Sequence, residues 1–285
     1  MSAIKLDGEL LAGEVRDDLA TRIAALAERE VVPGRGTILV GDDGPSKSYV
    51  AMKHRDSEAL GMHSREAALP ADTSQSEIEA LVDDFNADPA VHAYIIQYPF
   101  PAGLDYESAL VRVLPEKDAD GLHPVNLGRL VQGVDAPTAC TPAGIQMLLE
   151  RYDVPIAGQH VVIVGRGLTI GRPLANLLSL KRSNANAAVT VVHTGVADIA
   201  PLTRQADILV AAAGSPGMIT ADMVKPGAAV VAAGVSFEGR KVISDVADDV
   251  AEVAGWLSPR MGGVGPMTRA LLLANTVAAA ERVTG

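Results

Sequence analysis

The sequence predicts an α/β protein made of two α/β domains, the second of them Rossmann-like. Three observations carry this. Short apolar runs bounded by glycine or proline alternate with stretches of helical apolar spacing, the rhythm of a parallel sheet. The run "HVVIV" (His160–Val164) leads into "GRGLTIG" and a further helical stretch, so a strand meets a glycine turn at a helix start. Finally, 285 residues at 48% hydrophobic content supply two modest cores, and 3% aromatics make those cores Ala, Val, Leu and Ile.

Taken in order, apolar residues at helical spacing (Leu10, Leu11, Val15, Leu19, Ile23, Leu26) predict a first helix from about Gly8 to Glu30. "GTILVG" (Gly36–Gly41) reads as a buried strand. The segment from Pro45 to about Gly61 is a helix of roughly three turns. Ser74 and Glu77 stand at capping-box spacing and open a third helix, Ser74–Asp88. "VHAYIIQYPFP" (Val91–Pro101) is a strand running into a Pro-rich loop. That is strand, helix, helix, strand. Thr141–Tyr152 then reads as a capped helix bridging to a second unit. After the glycine turn, strands are expected in Ala187–Val192, Ala206–Gly214 and Ala228–Ser236. Gly265–Val283 is a long final helix, expected to pack back on the front half. Residues 1–140 with 266–285 therefore form one domain and 141–265 the other.

The bulk numbers exclude several classes. A formal charge of −11, from 35 acids against 24 Lys and Arg, argues against nucleic acid as a partner. It leaves room for a small anionic ligand in a locally positive pocket. The single cysteine, Cys140, permits no disulfide within the chain and no Cys-based metal site, which fits a reducing cytoplasm. The N-terminus has early acids and no apolar run of secretory length, and no stretch is apolar enough to span a membrane.

Gly165, Gly167 and Gly171 give G-x-G-x-x-x-G between strand and helix. Glycine permits the tight turn and lets a diphosphate approach the backbone, while the helix start offers free N–H groups. Dinucleotide binding is the reading, with a plain structural turn as the alternative. An NAD site usually has Asp or Glu at the end of the second strand, for the ribose hydroxyls. Here that strand ends in His193 and Thr194, and Arg166 sits inside the turn. A guanidinium with no opposing carboxylate suits a 2′-phosphate, so NADP is preferred over NAD.

Tyr49 and Lys53 share a helix face at i and i+4 and form a candidate proton-handling pair; an ordinary solvent-facing pair is the bland alternative. A short-chain dehydrogenase also uses Y-x-x-x-K, but there the pair follows the glycine turn, whereas here it precedes it by more than a hundred residues. Gln97 follows the strand "VHAYII", at the end where open α/β sheets bind ligands, and suits an amine or a reacting water. Asp118 and Asp120 precede Gly121 in a loop long enough to line a cleft. One carboxylate there suits bidentate capture of a flat amidine-like heterocycle. A metal held by the two aspartates and His123 is a weaker alternative, and no metal is expected. Cys140 precedes a Thr-Pro helix start with no nearby His to activate it, so a structural role is favoured over a nucleophile.

The segments "GDDGPSKSYVAMKHRDSEALGM", "IIQYPFP", "PEKDADGLHP", "CTPAG", "GRGLTIGRP" and "GGVGPMTRALLLANT" together resemble the bifunctional methylenetetrahydrofolate dehydrogenase/cyclohydrolase family. They occur in the family's order and cover nearly the whole chain. The resemblance implies an active-site cleft between the two domains, NADP as cofactor, tetrahydrofolate derivatives as substrates, and a homodimer. It implies two reactions at one site: hydride transfer from methylenetetrahydrofolate to NADP⁺, then hydrolysis of the methenyl cation to formyltetrahydrofolate. It makes Lys53 the catalytic group for hydrolysis, with Tyr49 and Gln97 in support, and has Asp120 anchor the pterin. It extends the substrate site to Tyr49, Gly262, Gly263 and Pro266. Its cofactor site comprises Gly165, Arg166, Gly167, Gly171, His193, Thr194 and Thr141. The chain departs from the family in "QYPFP" for the usual Q-L-P-L-P, in Gly167 for a serine, in "PRM" (Pro259–Met261) for Pro-Val-Pro, and in "SDV" (Ser244–Val246) for Gly-Asp-Val. A dehydrogenase without hydrolysis and a binding regulator without turnover are the other readings.

Overall fold

The computed structural model describes residues 3–238 and 241–284. In chain order, the front half holds β1 (Ile4–Lys5), α1 (Gly8–Ala27), β2 (Gly34–Val40), α2 (Gly44–Ala59), β3 (His63–Leu69), α3 (Gln75–Ala87), β4 (Ala93–Ile96), α4 (Tyr106–Arg112) and α5 (Pro124–Gln132). The back half holds α6 (Cys140–Arg151), β5 (His160–Val164), α7 (Gly171–Ser179), β6 (Ala188–Val192), α8 (Ala200–Thr203), β7 (Ile208–Ala211), β8 (Ala229–Ala232), β9 (Val235–Glu238), β10 (Lys241–Ser244), β11 (Trp256–Leu257) and α9 (Val264–Thr284). These fall into two compact units.

The front unit comprises Glu14–Arg129, Asp135–Thr138 and Arg269–Gly285. Its sheet is parallel, in the order β3-β2-β4. β2 is central and buried along its whole length, as a parallel strand covered on both faces must be. Ile38, Val40, Ile78, Val82, Phe85 and Tyr94 form one core cluster. In a second, Leu19, Ile23 and Leu26 of α1 pack with Met62 and with Leu273, Val277 and Ala280 of α9. From Arg269 onward the final helix thus packs within this unit, and a bidentate ion pair from Arg269 to Asp56, 2.7 Å at each oxygen, ties it to α2.

The back unit comprises Met1–Gly13, Leu130–Val134 and Ala139–Thr268. Its six strands lie parallel in the order β1-β11-β8-β7-β5-β6, a doubly wound sheet with a core of Val162, Val164, Leu209, Val230 and their neighbours. The first thirteen residues, grouped with the front half by the sequence, lie here because Ile4 and Lys5 pair with Trp256 and Leu257. The expected strand Ala228–Ser236 divides into β8 and β9, and β9 turns away to pair antiparallel with β10. β3 stands between the two helices that the sequence placed side by side.

Candidate active site

α2 begins where Asp43 caps it, its carboxylate accepting the N–H of Ser46 at 2.9 Å and that residue's hydroxyl at 2.7 Å. Tyr49 and Lys53 follow on one face of the helix. Tyr49 is 38% exposed, and the lysine is half-buried. Lys53 Nζ donates to Gln97 Oε1 at 3.1 Å. Gln97 is the residue after β4, and its backbone N–H donates to the Ile38 carbonyl at 2.8 Å. Its side-chain Nε2 donates to the Tyr98 carbonyl at 2.7 Å. With the amide nitrogen so engaged, only the amide oxygen can face the lysine, which fixes the orientation of the side chain. The peptide from Tyr98 to Pro99 is cis. Below the lysine, the buried Arg35 donates from Nε to Ser57 Oγ at 2.8 Å, and that hydroxyl donates to the Lys53 carbonyl at 3.3 Å.

The Asp118–Gly121 loop is built by its first aspartate. Asp118, buried, accepts the N–H groups of Gly121 (3.0 Å) and His123 (2.8 Å) and the Asn126 amide (3.0 Å). Burial still pushes its carboxyl up, against the pull of those bonds. Ala119 is held on both sides, its N–H by the Tyr94 carbonyl (3.1 Å) and its carbonyl by Asn275 of α9 (2.8 Å). That leaves the next residue, Asp120, half-buried on a fixed backbone. Its charge is felt by Tyr106, whose phenol burial pushes up first and the Asp120 and Asp118 carboxylates push further. The Tyr106 ring meets the rings of Tyr98 and Phe100 edge-on, with centroids 5.3 Å apart in each case. Tyr106 thus joins the Asp120 loop to the turn that carries Gln97, a link the sequence reading missed. The visible signal was a third aromatic close behind "QYPFP" in a chain poor in aromatics.

Two of the three side chains of the metal alternative, Asp118 and His123, are spent on hydrogen bonds within the protein. His123 Nδ1 accepts the Val125 N–H at 3.1 Å, so its Nε2 carries the proton and donates to the Val111 carbonyl, also at 3.1 Å. Asp118 is engaged at both oxygens. No cluster suited to a metal occurs among the described residues.

In the back unit, Gly165 follows β5 at φ +127°, and a Cβ there would lie 2.1 Å from the Ala212 carbonyl oxygen, so only glycine fits. Gly171 is the buried first residue of α7. Arg166 to Thr169 between them are exposed, Gly167 with open space around it. Arg166 Nη1 lies 3.3 Å from His193 Nε2. Yet His193 Nδ1 accepts the Gly195 N–H at 3.0 Å, which places the imidazole proton on Nε2. Two donors therefore face one another at the end of β6, beside the exposed Thr194. Thr141, in the first turn of α6, shares a hydrogen bond of 2.9 Å with the Thr268 hydroxyl. The Gly262 carbonyl accepts the N–H groups of Gly8 and Glu9, and Gly263 packs against Gly8, so both serve the start of α1. Pro266 is half-buried in the first turn of α9. Cys140 is buried.

Residues 6–120 match the tetrahydrofolate dehydrogenase/cyclohydrolase catalytic domain, and residues 139–284 match the NAD(P)-binding domain of the same enzymes. The chain belongs to the tetrahydrofolate dehydrogenase/cyclohydrolase family. It is 56% identical over 281 residues to the bifunctional protein FolD of Syntrophotalea carbinolica, covering 99% of this chain and 97% of that one. Among solved family structures, the Campylobacter jejuni bifunctional enzyme FolD aligns at 35% identity with a TM-score of 0.95, over 99% of this chain and 100% of that one. The Trypanosoma brucei methylenetetrahydrofolate dehydrogenase-cyclohydrolase, complexed with NADP and an inhibitor, aligns at 36% identity with a TM-score of 0.93, over 100% of this chain and 99% of that one.

Proposed function

We propose that this family member oxidises 5,10-methylenetetrahydrofolate with NADP⁺ and hydrolyses the resulting 5,10-methenyltetrahydrofolate to 10-formyltetrahydrofolate. The observation that carries the reading is the Lys53–Gln97 hydrogen bond, with the carbonyl side of an oriented amide facing the amine. The front unit holds the folate and the back unit the dinucleotide. NADP⁺, when bound, supplies the hydride acceptor; Arg166, His193 and Thr194 hold its 2′-phosphate, and the Gly165–Gly171 turn holds its diphosphate. Thr141 adds a hydroxyl to that site.

Asp120 accepts the amino and ring N–H groups of the pterin, a match of acceptor to donors. The Tyr49 ring lies against the bound folate. The methenyl species is a cation, so water adds without a metal. As the C–O bond forms, neutral Lys53 takes a proton from the water. Gln97 holds Nζ in place without adding a charge that would stabilise the ammonium. When the bond from the former methenyl carbon to N5 breaks, N5 takes up a proton and the hydroxyl becomes the formyl oxygen; one proton is released overall.

The single buried cysteine supports a cytoplasmic enzyme, no helix among the described residues is long and apolar enough to cross a membrane, and the family resemblance supports a homodimer. The test is direct: with methylenetetrahydrofolate, NADP⁺ is reduced and 10-formyltetrahydrofolate accumulates. No reduction of either NADP⁺ or NAD⁺ overturns the reading.

A further inference from the structure

The loop after β7, Ala212 to Gly217, reads "AAGSPG" and is exposed from Ala213 onward. It borders the glycine turn, because Gly165 presses on the Ala212 carbonyl. It is therefore one of the carboxyl-end loops at which open α/β sheets take ligands. Its sequence gives it little rigidity of its own. What orders it is a buried acid that no step above uses. Asp245, fully buried after β10, accepts the N–H groups of both Ala213 (2.7 Å) and Gly214 (2.8 Å) on one oxygen, Oδ2. The Asp245 N–H and carbonyl engage the Gly234 carbonyl (3.1 Å) and the Ile219 N–H (2.9 Å), so the acid cannot drift. Gly234 packs flat on the carboxylate, where a Cβ would come within 1.8 Å of Oδ2. The other oxygen, Oδ1, is buried with no hydrogen-bond partner among the described residues.

Burying a half-satisfied carboxylate is costly, and an apolar side chain would stabilise the core better. The N–H pair it captures lies in the loop beside the dinucleotide turn. We infer that Asp245 is a positioning residue for NADP: it pulls the Ala213 and Gly214 amides inward and so holds the Gly165-facing loop in its binding shape before the cofactor arrives. The inference rests on the dinucleotide reading given above.

Asp245→Asn tests it, since the amide keeps the shape and loses the charge that grips both N–H groups. Hydrogen exchange at Ala213 and Gly214 in the cofactor-free protein should accelerate roughly tenfold, with β5 and β7 unchanged. The NADPH dissociation constant, read from nicotinamide fluorescence, should rise roughly tenfold, the loss expected for a charge-assisted hydrogen bond. The KM for NADP⁺ should rise with it, and methenyl hydrolysis without cofactor should keep its rate. Should this variant not fold, Gly234→Ala, which pushes on the same carboxylate, provides the same readouts. Unchanged exchange and unchanged NADPH affinity in a folded variant overturn the inference. Failure of the parent protein to bind NADPH at all overturns the dinucleotide reading instead.

Discussion

Lys53 is one methylene chain away from being an ordinary surface cation, and a single amide changes that. Because Gln97 Nε2 is spent on the Tyr98 carbonyl, the lysine meets an acceptor rather than a competing donor. Lys53→Met should slow methenyl hydrolysis by about a hundredfold or more, the usual cost of losing a positioned base, while NADP⁺ reduction persists. Comparing the two assays on one preparation decides it; equal hydrolysis in mutant and parent refutes the role. Gln97→Ala should act in the same direction but more weakly, since it frees the lysine without removing it. Arg166 and His193 bring two donors within 3.3 Å. Arg166→Gln should therefore raise the NADP⁺ dissociation constant about tenfold and leave that of NAD⁺ nearly unchanged, measured by paired titrations. The sequence displayed Tyr49, Lys53, Gln97 and Asp120 as candidates because each belongs to a local pattern. It hid Tyr106 and Asp245 because their meaning lies in partners outside their own segment: the Asp120 charge for one, two loop amides for the other.

Helix α3 shows how completely an element can be written in local residues. Ser74 accepts the Glu77 N–H at 3.3 Å, and Glu77 accepts the Ser74 N–H at 2.7 Å, the reciprocal box that the spacing predicted. Ser74→Ala should cost about 1 kcal/mol, seen as a lower unfolding midpoint in urea. The Ser74 backbone N–H, and then the hydroxyls of Ser74 and Thr73, hold the Glu77 carboxyl below the ordinary glutamate range. Its folded-state value is depressed, so its contribution is present above the unfolded glutamate value and disappears as pH falls through the folded one. The protection of amides at the start of α3, measured against the unfolded-chain rate at the same pH, should fall on acidification below about pH 4 and not between pH 5 and 8. β3 was illegible for a related reason. As an edge strand with one neighbour it mixes exposed and half-buried residues, "HSREAAL", and its only apolar stretch is the three residues Ala67–Leu69. β1 and β11 are two residues each, too short to show any period.

For the molecule as a whole, the doubly wound sheet and the glycine turn were readable because buried parallel strands are near-continuous apolar runs. The membership of the first residues was not, because pairing partners two hundred and fifty positions apart leave no mark in either segment. A fragment of residues 139–284 should be less soluble, and melt lower, than the same fragment with residues 1–13 restored through a linker; equal melting would deny β1 any stabilising part. The edge it provides is short and carries Lys5, features that discourage strangers from adding on. Ile4 leaves the ribosome about 250 residues ahead of its partner Trp256. The β1–β11 pairing therefore waits until Trp256 and Leu257 have been made. Assembly cannot run strictly from front to back, and a nascent chain stalled before Trp256 holds its own opening strand in waiting.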